Sequence, residues 1–163
     1  MIEPAHLLKY VVRPTLGRLE LDGDTAERLV MGTIAHESKG GTYLKQIQGP
    51  ALGIVQMEPP THDDIWHNWL RYRPALAEQL LKLVPLWATE RKSEPDAYLL
   101  VTSLEYAVAM CRIHYLRVPE ALPNPDAISL AAYWKEHYNT GAGLGTTAQF
   151  IEAYAAISDI WGN

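Results

Sequence analysis

Between Leu100 and Tyr115 the residues Leu100, Leu104, Val108, Cys111 and Tyr115 recur at steps of three and four. That spacing is one face of a helix, and it constrains the fold more than any other feature of the chain. A helix striped in this way cannot bury its apolar side alone and needs other elements packed against it. The rest of the chain supplies them. Leu7, Leu8, Val11 and Val12 mark a first helix that Pro14 bends or ends. DGDTAERLVMGTIAHES is a second, with Asp24 and Glu27 as a capping-box-like start and Gly40-Gly41 as its stop. Thr61 is expected to cap a third, with Asp63 and Asp64 in its first turn. Leu76, Leu80 and Leu83 predict a helix over 75–91, broken at Pro85, and the opening stripe predicts one over 96–116. ISLAAYWKEHY follows a proline-rich loop. The last helix starts at Thr147 as cap and buries Phe150, Tyr154, Ile157 and Trp161. Only around residues 42–56 does the pattern leave room for a short hairpin. The expectation is an all-α fold in a single domain, 1–163, with one long loop.

Composition narrows the function. A net charge of −5 argues against a generic electrostatic nucleic-acid binder. A lone cysteine, Cys111, excludes an internal disulfide framework and is expected to pack as a small hydrophobe. No apolar run approaches the ~20 residues of a membrane span, so no membrane insertion is expected. MIEPAHLLKYVVRP has neither a basic n-region nor a long apolar core, so the expectation is synthesis in the cytoplasm without a signal peptide. Thr61-His62-Asp63-Asp64 with His67 lacks the spacing of a zinc or calcium motif, and NTGAGLG follows no strand, so no metal and no cofactor is expected.

The chemistry concentrates in AHESKGGTYLKQIQGPALGIVQMEPPT, residues 35–61. Glu37 stands at the C-terminal end of an apolar helix, where the negative pole of the macrodipole disfavours a carboxylate ion, and a general acid needs the protonated form. A solvated glutamate at a fraying helix end would read the same way. His36 beside it is expected to point elsewhere on the helix. After Glu37-Ser38 come 14 intervening residues, then Gly53-Ile54-Val55-Gln56, and much later Tyr138-Asn139-Thr140-Gly141-Ala142-Gly143.

These three elements, in this order, resemble the lytic transglycosylase and goose-type lysozyme superfamily. That family carries Glu-Ser at a helix end, then Gly-Leu-Met-Gln, then Tyr-Asn-Ala-Gly-Pro-Gly. The resemblance implies a lysozyme-like fold with a cleft walled by the loop 39–58. It implies Glu37 as catalytic acid, Ser38 as a residue positioning it or the substrate, and Gly53 as a bare backbone beside a sugar. It further implies Gln56, Tyr138 and Asn139 in the cleft. Tyr133, five residues before Tyr138, is an alternative source of the tyrosine hydroxyl. Ser38 and Asn139 are equally readable as cap and turn residues, and Tyr138 as a core aromatic. Glu105, on the helix that lines the cleft in this family, either touches substrate or is paired elsewhere.

The implied partner is the peptidoglycan glycan strand, and the implied bond is the β-1,4 link from N-acetylmuramic acid to N-acetylglucosamine. A transglycosylase needs one carboxylate; an inverting hydrolase needs a second, roughly 6.5–9.5 Å from the first. Transglycosylases of this family carry an apolar residue two places after the motif glutamine, and goose-type lysozymes carry Asp. This chain has Glu58 there, a departure that favours a water-using muramidase, unless Glu58 is only a solvated residue before Pro59. The small size and the absence of wall-binding repeats suggest a bacteriophage-type enzyme. The expectation is a monomer that can meet other virion proteins and that reaches the wall after lysis, by assisted export or on the virion. The rival is a non-catalytic glycan-binding or virion structural module on the same fold.

Overall fold

The computed structural model describes residues 1–89, 94–139 and 143–162. The chain is all-α: helices account for the regular structure, and no strand forms among the described residues. No described helix is long and apolar enough to cross a membrane.

The first helix runs through Pro14 without breaking. α1 (Pro4–Leu7) passes into a π turn (Leu8–Val12) and on into α2 (Arg13–Arg18). A proline ring in a regular helix clashes with the carbonyl four residues back, and the wider π turn relieves that clash. α3 (Asp24–Glu37) starts from Gly23 and has no side-chain cap. The expected capping box is absent because both carboxylates are taken by arginines: Asp24 by Arg28 and Glu27 by Arg13. α4 (Pro59–Asn68) likewise begins two residues before Thr61, at a proline whose missing N–H costs a first turn nothing. Asp63 bonds His62, and Asp64 bonds Asn68 and Arg117, so neither serves as a helix cap.

α5 (Pro74–Leu81) ends before Pro85 and is followed by a 3-10 turn at Leu86–Ala88; Glu90 and Arg91 of the predicted helix lie outside the described residues. The predicted helix 96–116 is two elements, α6 (Leu99–Thr102) and α7 (Leu104–Leu116). Ser103 adopts extended backbone between them, and its hydroxyl accepts the Tyr106 N–H as cap of α7. α8 (Ala127–Trp134) is capped by Asp126 and runs into a π turn, Lys135–Asn139. α9 (Thr147–Ala155) is capped one residue earlier than expected, by Thr146 in a capping box with Gln149.

α7 is buried nearly all round, from Tyr106 through Ile113, so it is the axis of the molecule. Cys111 is fully buried there, and burial pushes its thiol well above the usual range, as expected of a packing residue. α3 lies against α7, α8 and α9. The approach of α9 depends on Gly32, where a Cβ would stand 2.5 Å from Phe150 Cζ.

The loop 39–58 contains two isolated antiparallel bridges, Lys45–Leu52 and Leu52–Met57, in place of a hairpin. Its second half is not a surface loop. Leu52, Ile54, Val55 and Met57 belong to the core, which fixes the loop against the end of α3.

Candidate active site

α3 delivers Glu37 as its last residue, and the following turn folds back on the helix. The Ser38 and Gly40 N–H groups both bond the Ile34 carbonyl, and Lys39, Gly40 and Gly41 all have positive φ. Glu37 is thereby left at the mouth of a cleft of about 400 Å³, with its side chain 15% exposed. Loop residues Tyr43, Gln46, Ile47 and Gln48 form one side of this cleft, and Gln56 lines it as well.

One side chain hydrogen-bonds the carboxylate, and a second lies close to it without bonding it. Trp134 Nε1–H donates to Glu37 Oε1 at 3.0 Å. His36 Nδ1 lies 3.5 Å from the same oxygen, and its ring rests on Trp134 with centroids 4.3 Å apart. His36 therefore does not point away from Glu37, as its place in the sequence suggests. The chain turns back so tightly after α3 that neighbouring side chains share the cleft.

The backbone of the cleft is strained. Three described non-glycine residues have positive φ, and two of them, Lys39 (51°) and Gln56 (47°), line this cleft. Such conformations cost of order 1–3 kcal/mol each and gather at binding sites, because the surrounding structure must hold them. At Gln56 the holding bond is visible: its Nε2 donates to the Gly53 carbonyl at 2.7 Å.

The other expected site residues divide. Tyr138, in the π turn after α8 and outside the cleft lining, is partly buried and donates its hydroxyl to the Val55 carbonyl at 2.8 Å, tying that turn to the one that carries Gln56. Burial raises its phenol well above the ordinary range, so it stays a neutral donor. Asn139 Oδ1 accepts from Lys135 Nζ at 2.7 Å. Thr140, Gly141 and Ala142 of the same motif lie outside the described residues.

Ser38 is fully buried; its Oγ donates to the Ile34 carbonyl and accepts the Gly41 N–H, so it closes the helix and does not meet a ligand. Gly53 is required for a reason internal to the fold. With φ +73°, a Cβ there would lie 2.3 Å from the Leu100 carbonyl oxygen. Tyr133 is nearly buried with its hydroxyl on the Glu120 carbonyl, outside the cleft lining. Glu58 is exposed at the N-terminus of α4 and is also outside that lining, so Glu37 is the only carboxylate among the described cleft residues. Glu105 pairs with Arg18.

Trp134 is the residue that sequence reasoning missed. It reads as part of the apolar stripe of α8, and only its indole N–H distinguishes it from the rest of the core. A fully buried Trp in a helix just before Tyr138-Asn139 is the one available signal, since a buried indole N–H requires an acceptor. No group of three or more ligand-type side chains that could hold a metal occurs among the described residues. Searches of protein-family models, of curated proteins and of solved structures found no match to this chain.

Proposed function

We propose that this chain is a lysozyme-like glycosidase that cleaves the β-1,4 bond between N-acetylmuramic acid and N-acetylglucosamine in peptidoglycan. The observation that carries the reading is Glu37 itself. It is a half-buried carboxylate at a helix end, held by the Trp134 N–H and open to a cleft lined with hydrogen-bonding glutamines. The order Glu37-Ser38, Gly53 to Gln56 and Tyr138-Asn139 adds the family resemblance to that geometry.

In this reading Glu37 protonates the glycosidic oxygen as an oxocarbenium-like centre forms at C1 of the muramyl ring. Trp134 fixes the carboxyl group so that its free oxygen faces the bond. Gln46, Gln48 and Gln56 bond sugar hydroxyls and acetamido groups. Because Glu58 does not line the cleft, the second step falls to Glu37 as well. Its carboxylate takes the proton from the muramyl 6-hydroxyl as that oxygen closes onto C1, which gives a 1,6-anhydro end without water. The lytic transglycosylase ending is therefore preferred to the hydrolase that Glu58 suggested in the sequence.

A purified-protein assay on cell walls tests the activity. Glu37→Gln keeps the shape and the Trp134 contact but removes the transferable proton. It is expected to lower clearing by roughly 100- to 10,000-fold with an unchanged melting temperature. Clearing by Glu37→Gln at the wild-type rate, or no clearing by either protein, would favour the non-catalytic module.

A further inference from the structure

Four buried side-chain atoms have no hydrogen-bond partner among the described residues: Thr15 Oγ1, His36 Nδ1, His114 Nδ1 and Trp161 Nε1. Of these four residues only His36 lines the Glu37 cleft. A buried polar atom without a partner lowers stability, and each one calls for an explanation. The His36 ring is not free to turn its nitrogen to water. It packs on Trp134, with centroids 4.3 Å apart, and on Phe150, at 6.2 Å. Gly145 closes over it so tightly that a Cβ there would stand 2.9 Å from His36 Cε1. The fold therefore holds Nδ1 where it is, 3.5 Å from Glu37 Oε1.

That distance is about 0.3 Å beyond the ~3.2 Å limit of an N–H···O bond. Charge on Glu37 would close it. Bonds to an ionised carboxylate are shorter, about 2.7–2.9 Å, and roughly twice as strong as neutral ones. The Trp134 N–H can only donate, which favours Oε1 as the carbonyl oxygen and Oε2 as the bearer of the acid proton. When Oε2 gives that proton up, the charge spreads over both oxygens. Oε1 then becomes the strong acceptor that Nδ1 lacks at rest.

We propose that His36 is a positioning residue for Glu37: its Nδ1–H closes onto Oε1 as the carboxyl group loses its proton and opens again when the proton returns. The inference rests on the glycosidase reading, in which Glu37 is acid first and base second. Hydrogen bonds in an active site are often long in the free protein and tighten only during the reaction. A bond made only as charge develops lowers the barrier without tightening the binding of substrate. The same cycle accounts for the orphaned nitrogen. A partner that satisfied Nδ1 at rest would have to be given up each time Glu37 ionised.

Two substitutions separate this role from packing. His36→Phe keeps a ring on Trp134 and removes the orphaned nitrogen. It should melt at or above the wild-type temperature. On soluble peptidoglycan strands its kcat should fall roughly tenfold with KM unchanged, the scale of one charge-assisted hydrogen bond. His36→Leu, smaller and equally without a donor, takes its place if Phe does not fit beside Gly145. His36→Asn gives up the ring but sets an amide N–H near the place of Nδ1. It should melt lower and yet cleave faster than His36→Phe, with kcat restored towards the wild-type value. A histidine that only packs predicts the reverse order, with Phe active and Asn impaired. Wild-type kcat in the donorless variant, or His36→Asn no faster than that variant, would overturn the proposal, while wild-type cleavage keeps the glycosidase reading standing. No cleavage by the wild type would overturn both.

Discussion

Glu37 depends on Trp134 more than on any neighbour in sequence. The indole N–H is the donor that fixes Oε1, and the ring is fully buried, so the donor cannot turn away. Trp134→Phe should keep most of the packing and lose the bond. A hydrogen bond of this kind is worth about 1.5–3 kcal/mol when its acceptor is charged, so turnover should fall roughly tenfold or more. Cleavage rate at saturating substrate checks this, with a thermal melt to separate the loss from unfolding. An unchanged rate would remove Trp134 from the site. Glu37 and Gln56 were legible in the sequence because each sits in a short motif. Trp134 was not, because its bond to Glu37 spans 97 positions and nothing local marks it. Ser38 and Gly53 were legible as letters but not as roles. Their constraints come from the Ile34 and Leu100 carbonyls, which only the folded chain brings near.

Between elements, the junction of α4 and α7 is locked by a chain of polar groups inside the core. Trp66 Nε1–H can only donate, and it donates to the Tyr106 hydroxyl at 2.8 Å. The hydroxyl proton then goes to His62 Nε2 at 2.7 Å, and His62 Nδ1–H faces Asp63 at 2.9 Å. This order follows from an ionised Asp63, which can only accept. Tyr106→Phe leaves the Trp66 and His62 nitrogens without partners. Each orphaned group costs roughly 1–3 kcal/mol, so chemical denaturation should show a loss of a few kcal/mol despite the conservative change. A loss below about 0.5 kcal/mol, the size of an ordinary surface substitution, would mean that the network relaxes freely. Gly53→Ala tests the other junction, between the loop and α6. The strained φ and the clash with the Leu100 carbonyl should cost at least about 1–3 kcal/mol and displace Gln56 from the cleft. Helix positions were readable from periodicity, but starts and breaks were not. Asp24 and Thr61 looked like caps, but Asp24 pairs with Arg28 one turn on and α4 starts at a proline two residues before Thr61. Ser103 looked like the interior of a helix until its hydroxyl capped α7.

For the whole molecule, acid is the informative stress. His114, on α7, is partly buried against the π turn that follows α8, where its ring meets Tyr138 with centroids 5.0 Å apart. Burial is the main cause that lowers its pKa from 6.5 to about 4, and the Arg117 guanidinium pushes the same way. Burial also lowers His62. Between these limits the unfolded chain binds the proton and the folded chain does not, so stability is complete above about pH 6.5 and falls as pH drops towards 4. For His114 alone the loss approaches about 3 kcal/mol. Denaturant midpoints measured at pH 7 and pH 4.5 should differ in that direction, and His114→Gln should flatten the difference. The all-α architecture behind this was legible from the stripes alone, since buried helix faces dictate helix-on-helix packing. How those helices cross was not legible, because spacing along a chain does not fix crossing angles.

The central claim is that Glu37 alone makes and breaks the bonds. The masses of the muropeptides released from purified peptidoglycan test it most directly. The account predicts 1,6-anhydromuramyl ends from the wild type and no release by Glu37→Gln. Products that have gained a water and carry reducing ends, or release that survives Glu37→Gln, would contradict it.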